Sequence, residues 1–325
     1  MSFHAIYDGG LLSNLFLSFV QNKDLYNMRY FLLIFISALF FSISVQAQET
    51  KEERKTRKKT ERKARDKYLG AGIGFAKMSA KDKATSPLLY SGPTLLSNLD
   101  YLVHSDKLIK TVEFTAGVSE IRTNKDTHYG LTRSYAYGFY FNFRFTHNQK
   151  VLQFAKDKIK WYVGPGINIT NFSRINYKFG NSLYNYEYMA GIGVSSRMEF
   201  PFSYKGKDFK FLRMKLHRRD RQLLLSWKLY VPVFTSIYRP NYVSILNFID
   251  PETSIFNTNN LHSGIFTFLE IQSDIELFYF LHNGNILKLS YLWEYHQYKP
   301  GENEVQGAIN GLNFSFVFKF NKSNQ

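Results

Sequence analysis

Residues 134–146 read SYAYGFYFNFRFT. Tyr135, Tyr137, Phe139, Phe141, Phe143 and Phe145 occupy every second position, and Ser134, Ala136, Gly138, Tyr140, Asn142, Arg144 and Thr146 stand between them. A period of two means a β-strand, because successive side chains point to opposite faces. A soluble sandwich strand rarely presents six aromatics in a row on one side. Lipid is the better neighbour for that face, and the opposite face, with its Asn and Arg, calls for a polar interior.

The same period runs outward from this segment in both directions. Upstream, Leu69, Ala71, Ile73 and Phe75 alternate with Gly70, Gly72, Gly74 and Ala76, and Val112, Phe114, Ala116 and Val118 with Glu113, Thr115, Gly117 and Ser119. Downstream, Trp161, Val163, Ile167 and Ile169 oppose Gly164, Gly166, Asn168 and Thr170. Tyr188, Ala190, Ile192, Val194 and Met198 oppose Glu187, Gly191, Ser195, Arg197 and Glu199. The last segment places Phe314, Phe316, Phe318 and Phe320 on one side, with Asn313, Ser315 and Lys319 on the other.

The polar sides carry Glu113, Arg144, Glu187, Arg197, Glu199, Lys228, Glu270, Asp274, Glu276, Lys288 and Glu294. These would be costly against lipid and reasonable facing a lumen. Two readings stay open: mixed signs pairing into a salt-bridged plug, or a charged ring lining a narrow pore for small solutes.

Ten strands are expected, near 69–79, 88–103, 108–122, 130–147, 159–173, 184–202, 222–237, 264–281, 286–299 and 307–320. The fold class is therefore all-β, a transmembrane antiparallel up-and-down barrel, and an even count places both termini on one side. His104–Lys107 and His282–Asn285 become short turns on the side of the termini, the latter with the Asn283-Gly284 pair favoured in tight hairpins. The longest connection, 238–263, falls on the other side. The basic stretch 203–221, with Arg213, Lys215, Arg218, Arg219 and Arg221, is long for the terminal side. An extended hairpin there, with Phe209 and Leu212 in its rungs, would raise the count to twelve.

The first 47 residues read as an address. From Met28, Arg29 supplies a one-charge n-region, the apolar run extends from Tyr30 to about Ile43, and Val45 and Ala47 are small residues before a cleavage point after Ala47. Met28 is the expected true start, and the 27 residues before it are an ill-fitting leader. Residues 48–67 form a basic spacer with ten Lys/Arg between Lys51 and Lys67 against Glu52, Glu53, Glu61 and Asp66, which concentrates part of the chain's net charge of +16. The barrel follows over 68–320, and 321–325 is a polar tail.

Composition agrees with strands. The 325 residues are 44% hydrophobic, with 31 Phe and 23 Tyr, yet mean hydropathy is slightly negative, so apolar residues are interleaved with polar ones. There are no cysteines, which excludes thiolate metal sites and cysteine nucleophiles. No phosphate-cradling, zinc-protease, nucleophile-elbow or calcium-loop motif occurs, and Gly70, Gly72 and Gly74 read as a strand face with small inward residues. No cofactor, metal or catalytic set is expected. The local candidates for a barrel hydrolase are Asp126 with His128 and His262 with Ser263, adjacencies that chance supplies among 8 histidines. Nucleic acid is a poor partner, since the aromatics alternate with small and acidic residues and form no basic groove.

An address segment, a polar spacer, aromatic-alternating strands and a final GLNFSFVFKF resemble the outer-membrane β-barrels of Gram-negative envelopes, particularly the porin-like barrels of the Bacteroidetes group. The resemblance covers about 69–320. It implies the outer membrane as location, its lipid and lipopolysaccharide as surroundings, and the barrel-assembly machinery as partner. That machinery would read Phe314, Phe316, Phe318 and Phe320, although in this class the aromatic is usually terminal and here residues 321–325 follow it. Function is then a non-enzymatic structural barrel or narrow passive pore. The alternative is a surface-binding or adhesion protein using the 238–263 loop through Tyr238, Tyr242, Ile245, Phe248, Ile249 and Phe256.

Overall fold

The computed structural model describes residues 65–320 apart from 124–133, 156–157, 179–183, 205–208, 212–213, 217–220, 241–259 and 302. The leader, the signal segment, most of the spacer and the polar tail lie outside the described residues. So do Asp126, His128, Leu212, Arg213, Arg218, Arg219, Tyr242, Ile245, Phe248, Ile249 and Phe256.

The alternating segments form long strands: β1 (Asp66–Asp82), β2 (Ser86–His104), β3 (Leu108–Thr123), β4 (Tyr135–Phe154), β5 (Ile159–Ile175), β6 (Tyr184–Tyr204), β9 (Arg221–Tyr238), β11 (Leu269–Phe280), β12 (Ile286–Tyr298) and β13 (Val305–Lys319). Each pairs antiparallel with its neighbour, from Tyr68↔Lys319 between β1 and β13 round to Tyr204↔Arg221 between β6 and β9. The sheet closes on itself as a ten-stranded barrel. Closure leaves the ring no unpaired edge strand, which an open sheet in lipid could not avoid.

Three short strands lie outside this closed ring, two in a sheet of their own and one added to the edge of β9. β7 (Phe209–Phe211) and β8 (Met214–Leu216) make a separate two-stranded sheet. Within the basic 203–221 stretch these two strands pair antiparallel, with Phe209 opposite Leu216, but they do not raise the count to twelve. β6 and β9 pair directly as far as Ser203↔Gln222 and Tyr204↔Arg221, leaving no gap in the wall for two more strands.

β10 (Leu261–Ile265) pairs with the C-terminal end of β9. It continues the line of β11, from which it is split at Phe266–Phe268. Phe266 has a φ of 50°, its N–H donates to the Val233 carbonyl at 2.9 Å, and the Thr267 N–H donates to Thr235 Oγ1 at 2.9 Å. The single strand expected over 264–281 is therefore two, and residues 261–263, expected in the loop, belong to β10.

The first residue of β1 and the last of β13, Asp66 and Lys319, lie on one rim with the turns at 105–107 and 281–285 and the 205–220 connection; the connections at 83–85, 124–134, 176–183, 239–260 and 299–304 fall on the other, here the loop rim. At the 281–285 turn Gly284 takes a φ of 82°, left-handed backbone that suits the Asn-Gly pair. In the other turn Asp106 accepts hydrogen bonds from Lys150 at 2.6 Å and Lys160 at 2.7 Å. Those bonds, Lys150's first, hold its carboxyl down at about 2. A carboxyl whose folded value is depressed stabilises above its unfolded value and loses that contribution as pH falls through the folded one. Amide exchange at residues 105–108 should therefore stay constant from pH 7 to about 4 after correction for intrinsic rates, and accelerate as pH approaches about 2. Acceleration already complete at pH 5 would contradict this.

Candidate functional site

The outer wall is apolar. Ile73, Phe75, Leu95, Val118, Phe314 and Phe318 all point outward and are more than half exposed. Phe139, Ile167, Trp227 and Leu289 continue the belt. Burying this area in hydrocarbon removes the cost of exposing it to water. Among the C-terminal aromatics, Phe314, Phe318 and Phe320 are exposed on this belt, and Phe316 packs edge-on against Phe318 at 4.5 Å. The Phe320 N–H donates to the Lys67 carbonyl at 2.9 Å, so pairing with the strand that opens the barrel extends past β13.

Inside, all eleven charged residues named above are buried: Glu113, Arg144, Glu187, Arg197, Glu199, Lys228, Glu270, Asp274, Glu276, Lys288 and Glu294. Alternation along each strand puts them there. Burial of ions costs several kcal/mol each unless they are paired and hydrogen-bonded, and most of these are paired. Arg144 on β4 donates to Glu113 of the adjacent β3 at 2.8 Å. Across the lumen it reaches Gln272 on β11 at 2.9 Å and makes a short charged contact with Asp274. Lys228 on β9 contacts Glu113 on β3, Asp274 at 3.2 Å and Glu276 at 3.0 Å. Lys288 on β12 contacts Asp100 on β2 and Glu276 at 3.5 Å. Arg197 reaches Glu199 at 3.0 Å and Glu276 at 3.6 Å, and His104 closes on Glu199 at 3.1 Å.

Like charges face each other in the ladder at Lys228↔Arg197 and at Asp100↔Glu113. Directly opposite like charges destabilise a sheet. Here Lys228 answers Glu113 across the lumen, while Arg197 is matched by Glu199 and Glu276 and Asp100 by Lys288.

Two carboxyls are held by neutral groups instead. Glu294 accepts from Tyr140 Oη at 2.7 Å, and Glu270 from Asn168 and Gln272, each at 2.8 Å. Apolar layers flank this charged layer. Toward the loop rim lie Met78, Leu96, Ile121, Phe172, Met189, Ile237 and Ile309; toward the terminal rim lie Tyr68, Leu102, Ile109, Tyr162, Phe278 and Ile286.

A second charged cluster closes the loop rim. Arg174 makes a two-pronged contact with Glu187 at 2.8 Å and reaches Asp82 at 2.9 Å. Arg239 also contacts Asp82, and donates to the Asn303 carbonyl at 2.7 Å. Sequence reading named Glu187 but not its partner Arg174, nor Asp82 and Arg239 in the same cluster, nor Asp100. Arg174 and Asp100 keep the two-residue phase of Phe172 and Asn98, so alternation could have found them. Asp82 keeps the phase of Met78 and Ala80, and Arg239 that of Thr235 and Ile237, but both stand at strand ends, where a charged residue reads equally well as part of a loop.

His296, buried beside Phe172 with ring centroids 4.4 Å apart, fits because Gly307 faces it. A Cβ at Gly307 would lie 2.1 Å from His296 Cε1. Overpacking of this kind costs about 1–3 kcal/mol, so Gly307→Ala should lower the urea midpoint of the refolded barrel, and the double variant with His296→Ala should recover most of the loss. No recovery in the double variant would mean the glycine serves another purpose.

The hydrolase candidate at 262–263 is not a working pair. His262 and Ser263 are neighbours on β10 and so point to opposite faces. The His262 ring lies 5.9 Å from that of Tyr298, while Ser263 Oγ is bonded to Ser236 Oγ at 2.7 Å. Among the described residues no group of three His, Cys, Asp or Glu is arranged to hold a metal ion.

No family model and no curated protein matches the chain. Similar solved structures include the outer membrane protease OmpT from Escherichia coli, at 7% identity and a TM-score of 0.43, covering 78% of this chain and 97% of that one. The transport unit of the autotransporter AIDA-I from Escherichia coli has 7% identity and a TM-score of 0.38, covering 88% and 97%. Neisserial surface protein A has 8% identity and a TM-score of 0.26, covering 78% and 97%.

Proposed function

We propose that this chain is a non-enzymatic β-barrel of a Gram-negative outer membrane, with a sealed lumen and a structural role in the envelope. The observation that carries the reading is the set of charged bridges spanning the lumen from opposite walls, Arg144 to Asp274, Lys228 to Glu113 and Lys288 to Asp100. A barrel of about eight strands is just filled by ordinary side chains. Ten strands enclose more space, and long, oppositely charged side chains meeting in the middle occupy it. In a water column Arg197, Glu270 and Glu294 would expose surface, yet none is more than 1% exposed. That favours the plugged barrel over the narrow passive pore.

In this reading residues 1–47 carry the chain out of the cytoplasm and are removed, 48–67 form a periplasmic spacer, the terminal rim faces the periplasm and the loop rim faces outward. The aromatic C-terminal strand is the part the barrel-assembly machinery engages. Since the chain has no cysteine, single thiols report sidedness without background. In intact cells a membrane-impermeant maleimide should label Lys299→Cys on the loop rim, and label Asn283→Cys on the terminal rim only after the outer membrane is opened. The reverse pattern would invert the proposed orientation, and labelling of both only after full lysis would argue against an outer-membrane location.

A further inference from the structure

The outer wall across β1–β4 is not smooth. A groove of about 430 Å³ opens on it near the loop rim, lined by Phe75, Pro93, Leu95, Val118 and Phe139, with Glu120 as its one charged lining residue. Its cause is local. Between Ser91↔Arg122 and Thr94↔Ser119 the β2–β3 ladder has no paired residues, because Pro93 has no N–H to give. Gly92 crosses so close to β3 that a Cβ there would lie 1.9 Å from the Glu120 carbonyl oxygen. On the inner side of the same stretch Thr94 and Ser119 also line the groove. Both are more than nine-tenths buried, and their hydroxyls have no hydrogen-bond partner.

Outward-facing residues change character across this groove. Phe75, Leu95, Val118 and Phe139 form one apolar row through the registers Phe75↔Leu95, Leu95↔Val118 and Val118↔Phe139. Two residues nearer the loop rim, Lys77 stands opposite Pro93 and Glu120 opposite Tyr137. Beyond them come Arg122, opposite Ser91 and held by Glu120 at 2.5 Å, and then Lys81. Three cations against one carboxylate thus stand where the apolar belt ends, beside a concavity that starts in the belt.

We propose that this groove binds one phosphorylated lipid. An acyl chain lies over Pro93, Leu95 and Val118 beside Phe75, and the phosphate sits on Lys77, with Lys81 adding to the positive field and Arg122 neutralising Glu120. An apolar trough rising to a cationic rim matches that amphiphile: the chain is drawn by area burial and the headgroup by charge at the membrane surface. The inference rests on the membrane-barrel reading but not on the sealed lumen.

The test is native mass spectrometry of the full chain, delipidated in detergent and titrated with diphosphoryl lipid A. The dephosphorylated disaccharide is the control, and a heat-shift gel run in parallel reports whether the barrel itself is intact. The wild type should retain one lipid A. Lys77→Gln should reduce the adduct about fivefold, the share of one surface cation, and dephosphorylated lipid should bind as weakly. Val118→Trp, which fills the groove from the lipid side, should abolish the adduct with either lipid, and Leu95→Trp provides the same obstruction should Val118→Trp fail to refold. Equal adducts for wild type, Lys77→Gln and the tryptophan variants in heat-shifting protein would overturn the site and leave the barrel standing. Absence of a heat shift in the wild type would instead remove the premise.

Discussion

Replacing Arg144 with alanine should destabilise the folded barrel by about 3–5 kcal/mol, the usual cost of removing one partner from a buried ion network. The guanidinium bridges Glu113, Gln272 and Asp274. Without it Glu113 keeps Lys228, but Asp274 retains only the longer contact from Lys228 at 3.2 Å, and one of its oxygens already has no hydrogen-bond partner. Arg144→Lys should recover part of the loss, since an ammonium supplies charge without the planar fork that reaches three partners. The exposed pairing of Lys150 with Asp106 is the internal comparison: Lys150→Ala should cost less than about 1 kcal/mol. Urea titration of protein refolded into lipid vesicles, followed by tryptophan fluorescence, measures both. Equal effects at the two sites would mean that the lumen is wet.

Asp82→Ala should have an effect of the same order, about 3–5 kcal/mol, at the loop rim. Its carboxylate contacts both Arg174 and Arg239, all three residues are buried, and Glu187 can compensate only Arg174. Arg239 is also the point where the chain leaves β9, tied to Asn303 across the loop rim. Two readouts therefore move together: the urea midpoint falls, and amide exchange accelerates at residues 237–240 and 303–306 more than at the terminal rim. Stability lost without local acceleration would mean that Asp82 does not fasten the rim.

The wall was largely legible in the sequence and the lumen contacts were not, for a physical reason. A period of two reports which face a side chain takes, so segments such as 134–146 displayed both the strand and the polar side on which Arg144 stands. Hairpin order further implies that neighbours in sequence are neighbours in the wall, which is how Glu113 comes to face Arg144. Arg144 and Asp274 are separated by 130 residues, and which residues meet across the lumen depends on strand tilt and shear, which the period does not encode. The split between β10 and β11 was hidden similarly: Phe266 adopts positive φ without the glycine that would have announced it. The hairpin at 209–216 was visible as a pattern, but that it stands outside the wall follows only from β6 meeting β9 directly.

The sealed lumen is tested most directly by conductance of the protein, refolded from residue 48 onward, in a planar lipid bilayer. The bridges predict a barrel that inserts and shifts on heating yet passes no resolvable current at neutral pH. Reproducible single-channel steps from protein that heat-shifts normally would contradict the plug and make the buried charges the lining of a pore.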